Sequence, residues 1–317
     1  MHHSKILITG ITGFVGKNLA IYLHQKGYEI YGLGRTFPEK EDWHVQTIKA
    51  FYSYNDAINY NQFDTIIHTA GKAHDLKNVS NEQAYFEANT ELTEKIYSQF
   101  SLSNANKFIY FSSVKACADS VEGLLFENDI PAPKTAYGKS KLAAETAILK
   151  FPKTNHQEYF ILRPCMIHGK GNKGNLNLLY QLVSKGIPWP LGAFNNQRSF
   201  CNIDNLSFIV QELIEKENIA SGIYNIADND SISTNEMIQL IAESKNKKAG
   251  IWHIPKNLII ALAKLGDKLK LPLNSERLQK LTESYLVDNS KIKFAIEKKL
   301  PFSTKEGLLK TFQSFNQ

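Results

Sequence analysis

Residues 5–16 read Lys5-Ile6-Leu7-Ile8-Thr9-Gly10-Ile11-Thr12-Gly13-Phe14-Val15-Gly16. The run Ile6-Leu7-Ile8 is short and apolar without alternation, as suits a parallel strand buried on both faces. Glycines follow at 10, 13 and 16, and Val15, Leu19, Ile21, Tyr22 and Leu23 then give an amphipathic helical pattern. In such a unit Gly10 makes the tight turn, Gly13 lets backbone approach a pyrophosphate, and Gly16 permits close helix–strand packing. The helix N-terminus attracts the phosphate charge. The spacing is G-x-x-G-x-x-G, not the G-x-G-x-x-G of the standard fingerprint. Glycines alone would equally serve an ordinary β-turn-α connection. The strand before them and the helix after them favour dinucleotide binding.

Beyond this unit, apolar runs alternate with longer periodic segments. The pattern predicts strands at 5–9, 28–33, 45–49, 64–68, 107–112 and 158–162, and helices at 14–26, 82–100, 137–150 and 175–185. That is a doubly wound α/β fold with a parallel sheet, in which ligands gather at the carboxyl ends of the strands. Thr9, Ala70, Ser112 and Ser113 fall at such ends. After Pro164 the chain breaks into loops marked by Gly169, Gly171, Gly174, Gly186, Pro188, Pro190 and Gly192, which suit a smaller substrate-binding lobe. The expected division is 1–163 for the nucleotide-binding unit and 164–317 for the lobe. The lysine-studded stretch 255–271 is amphipathic and reads as a core-packing helix rather than a membrane-surface one.

A second pattern lies in Tyr137-Gly138-Lys139-Ser140-Lys141. Positions i and i+4 share one helix face, so the Lys141 ammonium can sit near the Tyr137 phenol and favour its ionised form. An unperturbed tyrosine titrates near ~10, and a neighbouring cation would bring it into a usable range for proton transfer. Ser113 lies 24 residues upstream. A Tyr-x-x-x-Lys spacing alone occurs by chance in many helices; the glycine turn gives it weight.

Together these segments resemble the extended short-chain dehydrogenase/reductase superfamily, along nearly the whole chain. Thr9 to Gly16 is similar to its nucleotide loop, with Gly10, Thr12, Gly13, Phe14, Val15 and Gly16 implied in cofactor binding. Ser113, Tyr137 and Lys141 match its catalytic set. Ile66-Ile67-His68-Thr69-Ala70-Gly71 looks like the strand end that flanks the cofactor, and Asn89 matches a structural or catalytic asparagine. Leu162-Arg163-Pro164 through His168-Gly169 looks like the family's Arg-Pro segment, which implies cofactor contact at Pro164 and Ile167. Gly174-Asn175, Pro190-Leu191-Gly192, Gln197-Arg198-Ser199-Phe200 and Asp204-Asn205 look like its sugar-nucleotide half. The resemblance implies a Rossmann fold whose chain recrosses between lobes, and a homodimer formed through helices that include the one bearing Tyr137. It is nearest to bacterial UDP-sugar 4-epimerases and 4-keto-reductases.

On that footing Ser113 would hydrogen-bond the sugar 4-oxygen while Tyr137 exchanges its proton. Tyr137 and Lys141 would also hold the nicotinamide ribose, and Ser112 contacts the cofactor or caps local backbone. Arg198 is the candidate for the diphosphate, since a guanidinium offers bidentate contacts, with Arg277 as the second candidate. Asn175, opening a helix, caps it or presents its amide to the diphosphate. His74 is a candidate for the sugar pocket, whereas His68 and His168 read as structural. Cys117 stands where relatives carry a residue lining the sugar.

The end of the second strand, Tyr31-Gly32-Leu33-Gly34-Arg35-Thr36, lacks the acid that holds a ribose 2′-hydroxyl, and Arg35 is available for a 2′-phosphate. The expectation is therefore NADP(H), with NAD(H) as the alternative. Three widely spaced cysteines give neither a disulfide framework nor a metal spacing, so no metal is expected. With no signal peptide pattern and no apolar run near ~20 residues, the expected setting is cytoplasmic and not integral to a membrane. The formal charge of +6 comes from lysines dispersed among acids and apolar residues, which reads as solvated helix faces rather than a nucleic-acid surface.

Three activities are weighed. The first is NAD(P)H-dependent reduction of a UDP-4-keto-6-deoxy-hexosamine. The second is 4-epimerisation of a UDP-sugar on a retained nicotinamide, using the same three residues. The third, a non-enzymatic sensor on this fold, is disfavoured by the presence of both Tyr137 and Lys141. A dehydratase is disfavoured because Val114-Lys115 occupies the place of its acidic pair. Arg35 in place of an acid, together with the pattern match across 174–205, inclines the sequence to the reductase.

Overall fold

In the strand Lys5–Thr9, Ile6 and Ile8 enter one hydrophobic cluster and Leu7 enters another, so both faces of the strand are covered. The computed structural model describes residues 4–36, 43–72, 81–152, 156–172, 174–269 and 273–315, without the side chain of Asn175. Among the described residues eleven strands run in chain order: β1 Lys5–Thr9, β2 Glu29–Gly34, β3 Ile48–Ser53, β4 Thr65–His68, β5 Lys107–Phe111, β6 Leu124–Leu125, β7 Glu158–Pro164, β8 Met166–His168, β9 Phe200–Asn202, β10 Gly222–Ile226 and β11 Leu286–Val287. Seven form one sheet in the order β10-β7-β5-β4-β1-β2-β3, all parallel. Helices cover both faces, so the doubly wound parallel architecture is as expected.

Differences from the sequence reading have local causes. The strand expected at 45–49 begins only at Ile48, because Trp43–Thr47 is a short helix that leaves Val45 72% exposed. The helix expected over 82–100 is broken by a π turn at Glu87–Glu91 between Gln83–Phe86 and Leu92–Ser101. The seventh strand, β10, was not anticipated.

β10 and the Ile203–Glu215 helix return from the C-terminal half to pack with the sheet. The rest of that half builds the smaller lobe around two further clusters, one with Leu176, Phe200 and Met237, the other with Trp189, Ile238 and Leu278. Two short parallel pairs, β8 with β9 and β6 with β11, tie lobe to sheet. The 255–271 stretch packs only in part. In its helix, Lys256–Leu269, Ile259, Ala263 and Gly266 are buried, whereas Leu258, Leu262, Leu265 and Leu269 stay exposed. Among the described residues no helix is long and apolar enough to cross a membrane.

The Ala136–Lys150 helix is fixed to the sheet by a buried ion pair. Arg163, on β7, donates from Nε to both Glu145 oxygens at 3.0 and 3.2 Å and from Nη2 at 2.6 Å. Both side chains are 1% exposed. The Ser112 hydroxyl donates to the same carboxylate. Desolvation makes such a pair a weak source of net stability, but removing one partner leaves a buried charge uncompensated. Glu145→Ala is expected to cost about 3–5 kcal/mol in urea denaturation, and Glu145→Leu combined with Arg163→Met to recover most of that loss. Equal losses in the single and double variants would count against the pair as the cause.

Candidate active site

The glycine turn has the shape the sequence implies. Gly10 has φ +66°, a conformation that L side chains rarely adopt, and a Cβ there would lie 2.7 Å from the backbone of Ala70. A Cβ on Gly16 would lie 2.5 Å from the Gly10 carbonyl and 2.7 Å from Ile11 Cα. Gly13 precedes the Phe14–Gln25 helix, which has no side-chain cap, so its first amides remain free for an anion. Thr12 is exposed, Phe14 and Val15 half-buried, and the Phe14 ring approaches Gly169 and Gly171. Ala70 and Gly71 follow β4, Pro164 ends β7, and half-buried Ile167 lies on β8. A Cβ on Gly71 would be 2.5 Å from Asn89 Oδ1 and 3.2 Å from Lys141 Nζ, so this glycine keeps the cleft open beside the lysine. The cradle fits a dinucleotide: its turn, its missing side chains and its free helix amides all face one sheet edge.

Ser113, Tyr137 and Lys141 meet at the same edge. Ser113 is buried at the end of β5, and its Oγ accepts from the Lys115 amide at 3.2 Å. The Ser113 side chain also hydrogen-bonds the Tyr137 phenol. The expected lowering of that phenol by Lys141 does not occur. Burial raises the Tyr137 pKa, the Ser113 bond works against the rise, and Tyr85 adds to it. Lys141 instead donates to the Phe111 carbonyl at 2.8 Å and lies 5.0 Å from the Tyr110 ring centre. Burial pushes the Lys141 ammonium down to about 8, with Glu145 opposing.

Around these three sit residues that hold them. Asn89, on the π turn, donates from Nδ2 to Ser140 Oγ at 3.0 Å and to the Lys72 carbonyl at 3.1 Å, and its Oδ1 accepts from the Lys72 amide at 2.8 Å. Thr90 Oγ1 donates to the Ser140 carbonyl at 2.9 Å. A π turn at a functional site is a recurrent device; here it brings two side chains onto the helix that bears Tyr137. The Ser112 hydroxyl is spent on Glu145, not on a backbone cap. Glu145 was missed in the sequence, although Tyr137, Lys141 and Glu145 succeed one another at i+4 on one helix face.

The remaining candidates separate cleanly. His68 is fully buried between Thr9 Oγ1 at 2.6 Å and Thr93 Oγ1 at 2.9 Å, and burial lowers its pKa to about 3; it is a neutral core residue. His168 is also buried, with Nδ1 at 2.9 Å from Thr311 Oγ1. Cys117 does not line a sugar pocket: it is 1% exposed within the main core, beside Arg163. His74 lies outside the described residues, which contain no cluster of three or more His, Cys, Asp or Glu that could hold a metal.

Arg198 and Arg277 converge on a cavity of about 500 Å³ in the lobe, with Leu176, Trp189, Phe200 and Met237 among its walls. Arg198 Nε donates to the Glu283 carbonyl at 3.1 Å, and its Nη2 donates to the Lys280 carbonyl. The helix starting at Asn175 supplies Leu176 to this cavity, but the Asn175 side chain is outside the described residues. A wider groove of about 680 Å³ around Gln239, Glu243 and His253 holds none of the candidate residues.

A Rossmann sheet with a glycine turn, and with serine, tyrosine and lysine gathered at its carboxyl edge, defines a short-chain dehydrogenase/reductase. The chain belongs to the NAD dependent epimerase/dehydratase family, whose model matches residues 6–227. It is 33% identical to a UDP-glucose 4-epimerase of Vibrio cholerae, over 99% of this chain and 96% of that one. It is 26% identical to the N-acetyl-α-D-glucosaminyl-diphospho-ditrans,octacis-undecaprenol 4-epimerase of Escherichia coli O157:H7, over 98% and 95% of the two chains. The fold superposes on UDP-glucuronic acid 4-epimerase of Bacillus cereus in complex with NAD, with a TM-score of 0.74 and 19% identity over 99% of this chain and 96% of that one.

Several solved neighbours, that one included, hold NAD rather than NADP. This overturns the NADP(H) preference expected from Arg35. In the structure Arg35 is exposed after β2 and lies near the Tyr54 phenol, and among the described residues this setting defines no phosphate clamp.

Burying the Lys141 ammonium has a measurable signature. Its folded pKa, about 8, lies below the ordinary 10.5, so between these values the unfolded chain binds a proton that the folded chain does not. Wild-type stability should therefore rise with pH across that window, by up to about 1.4 kcal/mol per pH unit. Lys141→Met should lack this rise. Parallel stability curves for the two proteins would show that the ammonium is not desolvated.

Proposed function

We propose that this protein is an NAD-dependent 4-epimerase of UDP-hexoses or UDP-N-acetylhexosamines. One observation carries the reading: the Ser113–Tyr137 hydrogen bond stands at the cofactor edge of a chain that matches a UDP-glucose 4-epimerase along nearly its full length. Epimerases among the relatives favour this over the 4-keto-reductase to which Arg35 had inclined the sequence reading.

The geometry supports the following roles. The turn at Gly10, Gly13 and Gly16 holds the dinucleotide, with Ala70, Gly71, Pro164 and Ile167 flanking it. Arg198 and Arg277 take the diphosphate of the sugar nucleotide, and the apolar walls of the cavity take its base. Ser113 holds the sugar 4-oxygen, and Tyr137 removes the 4-hydroxyl proton and later returns it. Lys141, an ammonium of weakened basicity at neutral pH, supplies the positive charge at the ribose. NAD held by this glycine turn would supply a hydride acceptor for C4 and a positive charge that would lower the phenol pKa. The sugar loses a proton and a hydride and regains both with the hydride on the opposite face, so no reductant is consumed.

The test is conversion of UDP-glucose or UDP-N-acetylglucosamine to its C4 epimer by purified protein with NAD, without net change in nicotinamide absorbance. Stoichiometric oxidation of NADH or NADPH by UDP-4-keto-6-deoxy-N-acetylglucosamine, with no epimerisation, would replace this reading with the reductase. Tyr137→Phe is expected to lower turnover about 10²–10⁴-fold while UDP affinity, measured by calorimetry, stays near the wild-type value.

A further inference from the structure

Lys115 stands where a dehydratase of this family would carry an acid, and the structure gives it an unusual set of contacts. Its amide donates to Ser113 Oγ at 3.2 Å. A Cβ on Gly138, next to Tyr137, would collide with its carbonyl. Its Nζ donates to the Asp119 carbonyl at 2.6 Å and lies 4.2 Å from the centre of the Tyr285 ring.

Each of these neighbours leads to a different part of the site. The Asp119 carboxylate accepts from the Lys134 amide at 2.6 Å and from Thr135 Oγ1 at 3.2 Å. Thr135 in turn caps the helix that bears Tyr137, accepting from the Gly138 amide at 3.2 Å. Tyr285 donates its hydroxyl to the Ala118 carbonyl at 2.7 Å, and its backbone is zipped to Gln197 and Ser199 on either side of Arg198. The same segment supplies the Glu283 carbonyl that holds the Arg198 side chain. Lys115 is thus one side chain away from the serine turn, the start of the tyrosine helix and the arm that presents Arg198.

We propose that Lys115 is a positioning residue, whose ammonium, clamped between the Asp119 carbonyl and the Tyr285 ring, fixes the Arg198 arm in register with Ser113 and Tyr137. The inference rests on the reading of the cleft as a sugar-nucleotide site. The base and diphosphate would bind within the lobe, on the Arg198 side of this clamp. The sugar would reach across to Ser113 and Tyr137. Loosening the clamp would leave the nucleotide bound and the sugar misplaced, and a misplacement of about 1 Å can cost about 10²-fold in rate. Asp119 and Glu283 face the ammonium as opposite charges and Arg198 and Lys280 as like ones, so a neutral side chain could not reproduce the arrangement.

The experiment compares wild type, Lys115→Met and Lys115→Arg for turnover of the sugar nucleotide and for UDP affinity by calorimetry. Lys115→Met is expected to lose about 10–10²-fold in kcat with its UDP Kd within about threefold of wild type. Lys115→Arg, which keeps a cation able to donate to Asp119 and lie on Tyr285, should recover most of the rate. Tyr285→Leu opens the clamp from its other side and should show the same split, which covers the case of a Lys115→Met protein that does not fold. Wild-type kcat in Lys115→Met and Tyr285→Leu, or losses of UDP affinity as large as those of turnover, would overturn the inference. A wild type that neither turns over sugar nucleotides nor binds UDP would overturn the functional reading first, and the inference with it.

Discussion

The buried Glu145–Arg163 ion pair is the constraint on which the site depends. Tyr137, Lys141 and Glu145 form one face of a helix, and Glu145 is anchored to the sheet by an ion pair. Arg163 stands on β7 next to Pro164, where the chain leaves the sheet for the lobe, and Ser112 reaches the same carboxylate from the end of β5. One carboxylate therefore sets the height of the tyrosine helix, the turn that carries Ser113, and the exit of the strand that leads to the lobe. An apolar contact could fill the same volume without fixing register. Directional hydrogen bonds from two other elements can, and that gives a physical reason for a charge so deep in the protein.

Burial also governs the titration of the site. The same desolvation lowers His68 to about 3, lowers Lys141 to about 8 and raises Tyr137. His68 gives up its charge and becomes packing. Lys141 keeps a usable charge because the Phe111 carbonyl and Glu145 stand against it. Tyr137, raised by burial, stays a protonated phenol at neutral pH. In such a cleft the protonation state of the phenol answers to whichever cation is brought close, and chemistry becomes conditional on occupancy.

Much of this was legible in the sequence, for reasons that can be named. Strands buried on both faces announce themselves as apolar runs, which is why β1, β4, β5 and β7 lay close to their expected places. β10 is an edge strand whose first two residues are only half-buried, and its five residues include a glycine and an asparagine, so the run looks like a loop. Val45 misled because apolar character on a short exposed helix is indistinguishable in sequence from a strand residue. The π turn left no mark, since one inserted residue does not disturb the helical pattern on either side. Ser113, Tyr137 and Lys141 were found through spacing and resemblance. Of the residues around them, Asn89 was matched through the same resemblance, Glu145 was missed, and the contact of Lys115 with Tyr285 is made only by the fold, across the length of the lobe.

Arg35 and Arg198 show where residue type stops being informative. Both were assigned to phosphate groups on the chemistry of the guanidinium, which is sound as chemistry. Recognition of a phosphate further requires that the guanidinium be held and that its alternatives in water be removed. Arg198 meets this condition: two backbone carbonyls orient it at the edge of a largely apolar cavity, where another arginine also converges. Arg35 is exposed beyond a strand end with a tyrosine nearby, and a phosphate there would have to compete with solvent for it. An arginine without a neighbouring acid is not by itself a clamp for a 2′-phosphate. What distinguishes a clamp from a solvated side chain is the carbonyls and walls around it, and those are set by residues far away in the chain.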